Sequence, residues 1–97
     1  MHKDIKGQNL LFDNQGYVKI CDFGMAESTK PLKPGQKQNF GGTWRFMAPE
    51  IISHKKHEAS VDYYALGVMV YECMLQKPFP IPSKEKVKKI LKEGGTI

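Results

Sequence analysis

Four polar residues early in the chain have side chains that could act on a phosphate group. Asp4 is followed by Lys6 and Asn9, and Asp22 comes thirteen residues after Asn9. Phosphoryl transfer needs an aligned hydroxyl group and cations on the phosphate charge, and Mg²⁺ prefers oxygen ligands such as those of carboxylates and amides. Each residue alone is a weak signal, since Asp4 and Asp22 could also be turn caps. Their meaning depends on the elements that position them.

A predicted β-hairpin connects Asn9 to Asp22. Residues 10–12 form a short apolar run, residues 13–16 read Asp-Asn-Gln-Gly, and residues 17–21 alternate well enough to form the return strand. The glycine of the turn is free to adopt a positive φ. Because the two ends of a hairpin meet, we expect Asn9 and Asp22 to lie side by side.

The segment that follows the hairpin is predicted to be a long loop. From Asp22 to about Phe40, serine, threonine, proline and glycine interrupt any hydrophobic period. A loop of this length inside a compact domain is usually functional or mobile. A short helix is expected over about residues 47–52, with Pro49 tolerated in its first turn.

Two longer helices are predicted in the second half of the chain. Ser60 is a good N-cap for the first, over about residues 61–76, which is apolar nearly all round and should be buried on every side. Ser83 can cap the second, over about residues 84–93, whose apolar residues share one face and whose stop signal is Gly94.

The composition is that of an ordinary globular protein. The 97 residues are 40% hydrophobic and 26% charged, which excludes a wholly disordered chain. A net charge of +5 could indicate nucleic acid, anionic lipid or a phosphorylated ligand as partner. Much of the excess lies in the last helix, at Lys84, Lys86, Lys88, Lys89 and Lys92. We favour a solvated helix face and expect no nucleic acid partner, because no aromatic residues alternate with these lysines.

Neither cysteine usage nor hydropathy indicates secretion, zinc binding or a membrane span. Cys21 and Cys73 lie far apart with no zinc-ligand spacing, and Cys21 is predicted to be a small buried hydrophobic residue. Residues 1–4 are not followed by the apolar region of a secretory signal peptide. The longest apolar stretch, residues 63–75, is too short to span a bilayer. An intracellular, cytoplasmic location is the default expectation.

Four groups of residues together resemble the motifs of the protein kinase family. Residues His2 to Asn9 resemble the catalytic loop H-R-D-x-x-x-x-N, with lysine in place of arginine, and Asp22-Phe23-Gly24 resembles the magnesium-binding triplet. Gly42-Thr43 followed by Met47 to Glu50 resembles the end of an activation segment. Asp62 and Gly67 resemble the motif D-x-W-x-x-G, with Tyr64 in place of tryptophan. About ten fixed positions, each matched by chance on the order of one time in twenty, occur in the family's order. The resemblance extends from His2 to at least Pro80.

The resemblance implies a role for each candidate residue. Asp4 would orient the substrate hydroxyl and accept its proton, and Lys6 would reach the transferred phosphate. The residues implied for catalysis are Asp4, Lys6 and Asn9; for ATP, Lys6, Asn9, Leu11, Cys21 and Asp22; for Mg²⁺, Asn9 and Asp22; and for the protein substrate, Gly42, Thr43 and Trp44. The cofactors implied are therefore ATP and Mg²⁺.

The fold implied is α+β, the partial large (C-terminal) lobe of a protein-kinase-like fold, mainly helical with a small β-hairpin that carries the catalytic and magnesium loops. Its segments would be a catalytic loop at 2–9, the hairpin at 10–21, an activation segment at 22–50, a central helix at about 61–76 and a basic helix at about 84–93. The sequence contains no G-x-G-x-x-G loop and no V-A-I-K lysine. We therefore expect this single partial domain to lack the ATP-binding lobe and the late helices, and to be inactive when isolated.

The implied activity is ATP-dependent phosphorylation of serine or threonine hydroxyls in proteins. The position of Lys6 two residues after Asp4, and of Thr43 beside them, is similar to serine/threonine kinases, and the stretch at residues 62–67 is similar to the cyclic-nucleotide-dependent group. Because Lys3 replaces the arginine and Asn39 stands where a phosphorylated threonine is common, phosphate control there is expected to be absent. The alternative is a non-catalytic, kinase-derived binding or regulatory module.

Overall fold

The structure, a computed structural model, describes residues 1–95. In chain order the elements are a 3-10 helix at Gly7–Asn9, strands β1 (Leu10–Phe12) and β2 (Val18–Ile20), a 3-10 helix at Trp44–Phe46, and helices α1 (Pro49–Ile52), α2 (Ser60–Leu75) and α3 (Lys84–Lys92). The two strands form an antiparallel sheet. A small hairpin combined with three helices agrees with the predicted α+β, mainly helical class. None of the helices described is long and apolar enough to cross a lipid bilayer.

The hairpin is closed by one carboxylate at its turn. Oδ1 of Asp13 accepts hydrogen bonds from the backbone N–H groups of Gln15 and Tyr17, both at 2.9 Å. Gly16 has φ 85°, which glycine adopts without a steric penalty. The turn is as predicted, but the return strand is shorter than the predicted 17–21, since only Val18–Ile20 pair with β1.

The core is small and is centred on one face of α2. Val61, Ala65 and Val68 are the buried residues of this helix, and they pack in two clusters with residues of the Trp44–Phe46 turn and of α1. Other apolar side chains of α2 face outward, and those of Tyr63 and Met74 are 74% and 76% exposed. The sequence of this helix indicates neighbours on every side, but within residues 1–95 no described element covers its other faces, and their apolar side chains are exposed.

One ion pair joins α2 to the segment before α1. Arg45 Nε and Nη2 donate to the two carboxylate oxygens of Glu72, at 2.8 and 3.1 Å. The backbone N–H of Phe79 also donates to Glu72, at 2.9 Å, which holds the chain that leaves α2. The hydrogen bond from Arg45 lowers the pKa of Glu72. The charge of Glu72 within an apolar stretch is thus satisfied.

The ends of α2 differ from the prediction. The N-cap is Ala59, with helical φ −57° and ψ −21° and no side-chain hydrogen bond, and Ser60 is the first residue of the helix. An N-cap residue has an extended backbone conformation. The residues before α2 already form a helical turn, so Ser60 lies inside the helix and cannot act as its cap. Gln76 has φ 54° and is the C-cap rather than the last helical residue.

The ends of α3 agree with the prediction. Oγ of Ser83 accepts from the backbone N–H of Lys86 at 3.3 Å. Gly94 is in the left-handed region with φ 80°. Its N–H donates to the carbonyl of Leu91, and that of Gly95 donates to the carbonyl of Ile90 at 2.9 Å. These two bonds form the Schellman motif that a glycine stop signal indicates. The short helix α1 also begins at Pro49, as expected.

Candidate functional site

The first residues of the chain are fixed by the carboxylate of Asp62, in the first turn of α2. Asp62 Oδ2 accepts from the backbone N–H of His2 and Oδ1 from that of Lys3, both at 2.8 Å. Lys3 has φ 71°, an uncommon conformation for a residue with a side chain. From the sequence we assigned Asp62 to a family motif. Nothing else in the sequence indicated that its side chain contacts the start of the chain.

The His2 ring connects the same loop to the end of the hairpin. Its Nδ1 accepts from the backbone N–H of Asp4 at 3.1 Å, and its Nε2 lies 2.9 Å from the carbonyl oxygen of Cys21. This pair of contacts fits the tautomer in which Nε2 carries the proton. The ring therefore orients the backbone of Asp4, and no contact assigns it to chemistry.

The side chains of Thr43 and Lys6 meet at Asp4. The hydroxyl of Thr43 donates to Asp4 Oδ1 at 2.9 Å and accepts from Lys6 Nζ at 2.8 Å. Lys6 Nζ lies 3.9 Å from the same oxygen, Asp4 Oδ1. The side chains of Lys6 and Asp4 are 20% and 15% exposed, so both remain accessible to a ligand. The candidate residues Asp4, Lys6 and Thr43, which are distant in sequence, are thus brought together.

Asn9 lies on the other side of Asp4. Its Nδ2 donates to the Asp4 carbonyl oxygen at 2.8 Å and approaches Oδ2 at 3.4 Å. Its own carbonyl oxygen accepts from the backbone N–H of Cys21 at 2.9 Å and lies 3.3 Å from Cys21 Sγ. Asp22 therefore follows directly after the backbone partner of Asn9. Cys21 is only partly buried, so the prediction of a buried small hydrophobic residue was wrong.

The Asn9 and Asp22 side chains suit a magnesium ion. Asp22 is exposed, has φ 60°, and uses Oδ1 to accept from the backbone N–H of Gly24 at 3.2 Å. Within residues 1–95, no hydrogen bond occupies Asn9 Oδ1 or Asp22 Oδ2, and no group of three His, Cys, Asp or Glu side chains could hold a metal. Mg²⁺ is commonly bound by one or two protein oxygens and completed by water and phosphate. The two available oxygens fit that pattern.

Leu11, the other predicted ATP contact, lies on β1 opposite Lys19 and is 57% exposed. The remaining candidates flank Thr43. Gly42 has φ 137°, and a Cβ there would lie 3.3 Å from the Lys3 carbonyl oxygen, so only glycine fits without strain. Trp44 Nε1 approaches the Pro82 carbonyl oxygen at 3.4 Å. Gly42 and Trp44 therefore place the segment between the start of the chain and the residues before α3.

Lys3 connects the start of the chain to the long loop. Its side chain is fully buried, and Nζ donates to Glu27 Oε1 and to the carbonyl oxygen of Asn39. Glu27 Oε1 also accepts from the backbone N–H of Asn39 at 2.7 Å. Burial raises the pKa of Glu27. The hydrogen bonds from Lys3 and Asn39 and the charge of Lys3 lower it by more, so the pKa lies below its ordinary value. Glu27 was not identified from the sequence.

A second contact holds the end of this loop. His57 is 2% exposed and exchanges two hydrogen bonds with Gln38 through its backbone, at 3.0 and 2.8 Å. Its ring lies edge-on to Phe40, with ring centres 5.7 Å apart. Burial lowers the pKa of His57, and the charge of Lys3 lowers it further. Its Nε2 has no partner in the described part of the chain, which fits a neutral ring.

Comparison with known proteins gives one family. The sequence profile described as "Protein kinase domain" matches residues 1–96. Curated relatives include cGMP-dependent protein kinase 2 of Homo sapiens, 43% identical over 79 residues, and serine/threonine-protein kinase AtPK1/AtPK6 of Arabidopsis thaliana, 38% identical over 95 residues. The matched regions cover 80% and 96% of this chain but only 10% and 20% of the two relatives. Serine/threonine-protein kinase N2 of Danio rerio is 38% identical over 88 residues, 90% of this chain and 9% of that relative.

Proposed function

This chain belongs to the protein kinase family, and we propose that it carries the catalytic and magnesium loops of an ATP-dependent serine/threonine protein kinase. The observation that carries the proposal is the Thr43 hydroxyl between Asp4 Oδ1 and Lys6 Nζ. It fixes a carboxylate beside a cation, which is the arrangement that phosphoryl transfer to a hydroxyl group requires. The serine/threonine type is supported by the names of the relatives.

In this proposal, Asp4 Oδ2 accepts the proton of the substrate hydroxyl. Oδ1 is engaged by Thr43 and faces Lys6, whereas Oδ2 has only the 3.4 Å approach of the Asn9 amide. A carboxylate with one oxygen anchored and the other accessible can hold a hydroxyl group in line for attack. The anchored oxygen limits rotation of the side chain, so the accessible one keeps its position.

Lys6 places positive charge on the transferred phosphate. An ammonium group has three donors, and one of them is used by Thr43. A remaining N–H can bind a phosphate oxygen while the charge stabilises the transition state. The nearby Asp4 carboxylate also keeps this cation close to the attacking hydroxyl group.

Asn9 Oδ1 and the Asp22 carboxylate would hold Mg²⁺, which neutralises phosphate charge when bound. Leu11, on β1, and Cys21, directly after β2, are proposed to contact ATP. Residues 42–44 are proposed to contact the protein substrate. The proposed segments are a catalytic loop at 2–9, a hairpin at 10–21, an activation segment at 22–50, α2 as the central helix and α3 as the basic helix. Because Cys21 and Cys73 are free thiols, we retain an intracellular location in the proposal.

Replacement of Asp22 tests the magnesium role. In an active protein that contains these 97 residues, Asp22→Asn is expected to remove most of the dependence of ATP binding on Mg²⁺, because an amide is a weaker ligand than a carboxylate. The measurement is the ATP dissociation constant with and without Mg²⁺. Glu58→Gln is the control, since Glu58 is exposed and makes no side-chain hydrogen bond in the described residues. Equal Mg²⁺ dependence in wild type and Asp22→Asn would exclude Asp22 as the ligand.

A further inference from the structure

A groove lies between the segment at residues 40–44, α1 and α3. Its volume is about 640 Å³. The apolar residues that line it, which include Met47, Ile51 and Leu91, form its floor. Val87 of α3 also lines the groove and is 2% exposed. The groove is therefore a concave, partly apolar surface within the size range of pockets that bind a ligand.

One edge of this groove is positively charged. Lys84, Lys88 and Lys92 line it from α3, and their spacing of four residues places them on the same face of that helix. No aspartate or glutamate is among the residues that line the groove, and none of the three lysines forms an ion pair within residues 1–95. The groove thus combines an apolar floor with cations whose charge is unmatched by the described chain.

The groove begins beside the Asp4 site. Gly42 and Trp44 line it, and between them Thr43 makes its hydrogen bonds to Asp4 and Lys6. A peptide whose hydroxyl group lies at Asp4 would consequently place neighbouring residues in the groove. At the same end, Lys84 Nζ lies 5.8 Å from the centre of the Trp44 ring.

We propose that this groove binds an acidic peptide segment, with one apolar side chain on the floor and carboxylates on Lys84, Lys88 and Lys92. The identification of that segment as part of a protein substrate rests on the proposed function, whereas binding itself does not. Charge complementarity selects the occupant, because carboxylates supply the charge that the groove lacks. The three lysines are exposed, whereas Ile51 and Val87 of the floor are 3% and 2% exposed, so a flat bilayer surface would reach the lysines and leave the floor empty.

The test is a titration of the full chain, without nucleotide, with a labelled peptide in which a leucine and three glutamates follow one serine. Binding is followed by fluorescence anisotropy of the label and by emission of Trp44, the only tryptophan of the sequence. We expect saturable binding with a change in Trp44 emission. The same peptide with glutamines in place of glutamates should bind roughly 10-fold more weakly, because several exposed ion pairs are lost together.

Charge reversal on the two faces of α3 supplies the matched control. The double variant Lys84→Glu, Lys88→Glu is expected to weaken binding at least about 10-fold, whereas Lys86→Glu, Lys89→Glu should weaken it less than about 3-fold, because the latter residues lie outside the groove. All four lysines are exposed and both variants change the net charge equally. Circular dichroism of each variant checks that α3 is retained.

Several results would overturn the proposal: equal loss in both double variants, equal binding of the glutamate and glutamine peptides, or binding without a change in Trp44 emission. Tighter, Lys84- and Lys88-dependent binding of single-stranded DNA or of phosphatidylserine vesicles would assign the surface to another class of partner. No nucleotide is present, so absence of phosphoryl transfer leaves these outcomes unchanged. Conversely, failure of the groove variants leaves the Asp4 chemistry untouched.

Discussion

Replacement of Asp4 by asparagine is expected to lower turnover by roughly 10²–10⁴-fold in an active protein that contains this chain, the usual worth of a positioned acid–base group. Asparagine has the same shape, and its oxygen can still accept from the Thr43 hydroxyl, which binds Asp4 at 2.9 Å. What is lost is the proton acceptor at the position of Oδ2. Nucleotide affinity should change little, because the proposed partner of Asp4 is the substrate hydroxyl group.

The measurement is steady-state turnover together with the ATP dissociation constant. Glu58→Gln again serves as the control, because it removes an exposed carboxylate away from the site. Unchanged turnover in Asp4→Asn would remove Asp4 from its assigned role. A parallel loss of ATP affinity would indicate that the residue contacts nucleotide instead.

Replacement of Asp62 by alanine is expected to destabilise the protein by about 3 kcal/mol or more, because two buried N–H groups lose charged acceptors worth about 1.5–3 kcal/mol each. The backbone donors belong to His2 and Lys3, which are 8% and 6% exposed. Turnover should also fall by about 10²-fold, since Asp4 follows directly and a shift of about 1 Å in a positioned group has that cost. Urea unfolding and phosphoryl transfer measure the two effects.

Asp13→Ala is the matched control for Asp62→Ala. Asp13 also accepts two backbone hydrogen bonds, at 2.9 Å each, but both lie in the exposed hairpin turn where water can replace them. We expect a loss of about 1 kcal/mol or less and little change in turnover. Equal destabilisation by the two alanine variants would show that burial of the His2 and Lys3 donors does not matter.

Elements stabilised by local contacts were predictable from the sequence. Asp13 acts on residues two and four positions away, Ser83 on a residue three positions away, and the Gly94 stop signal on the last turn of α3. Such contacts depend on residue type and spacing alone. The Ser60 cap failed because the residues before α2 already form a helical turn, and the spacing around Ser60 does not reveal their conformation.

Contacts between distant residues could not be predicted in the same way. Asp62 binds residues 60 and 59 positions away, and Lys3 pairs with Glu27, 24 positions away. The sequence shows that these residues are charged and leaves many partners possible. Asp4, Lys6 and Thr43 were identified together through a family resemblance, and the structure adds the two hydrogen bonds of the Thr43 hydroxyl.

The burial of α2 shows another limit. Its apolar residues indicate neighbours on every face, but they do not indicate which part of a protein supplies them. Within residues 1–95 only the face with Val61, Ala65 and Val68 is covered. The distribution of apolar residues around a helix predicts which of its faces need packing partners. The contacts actually made depend on all the segments present.

The central proposal is tested most directly by identifying the amino acid that receives the phosphate. A protein that contains these 97 residues is incubated with ATP labelled at the γ-phosphate and with peptides that carry serine, threonine or tyrosine as the only hydroxyl. We predict label on the serine and threonine peptides, only in the presence of Mg²⁺, and its loss in Asp4→Asn. Label confined to tyrosine, or transfer that persists unchanged in Asp4→Asn, would contradict the proposal.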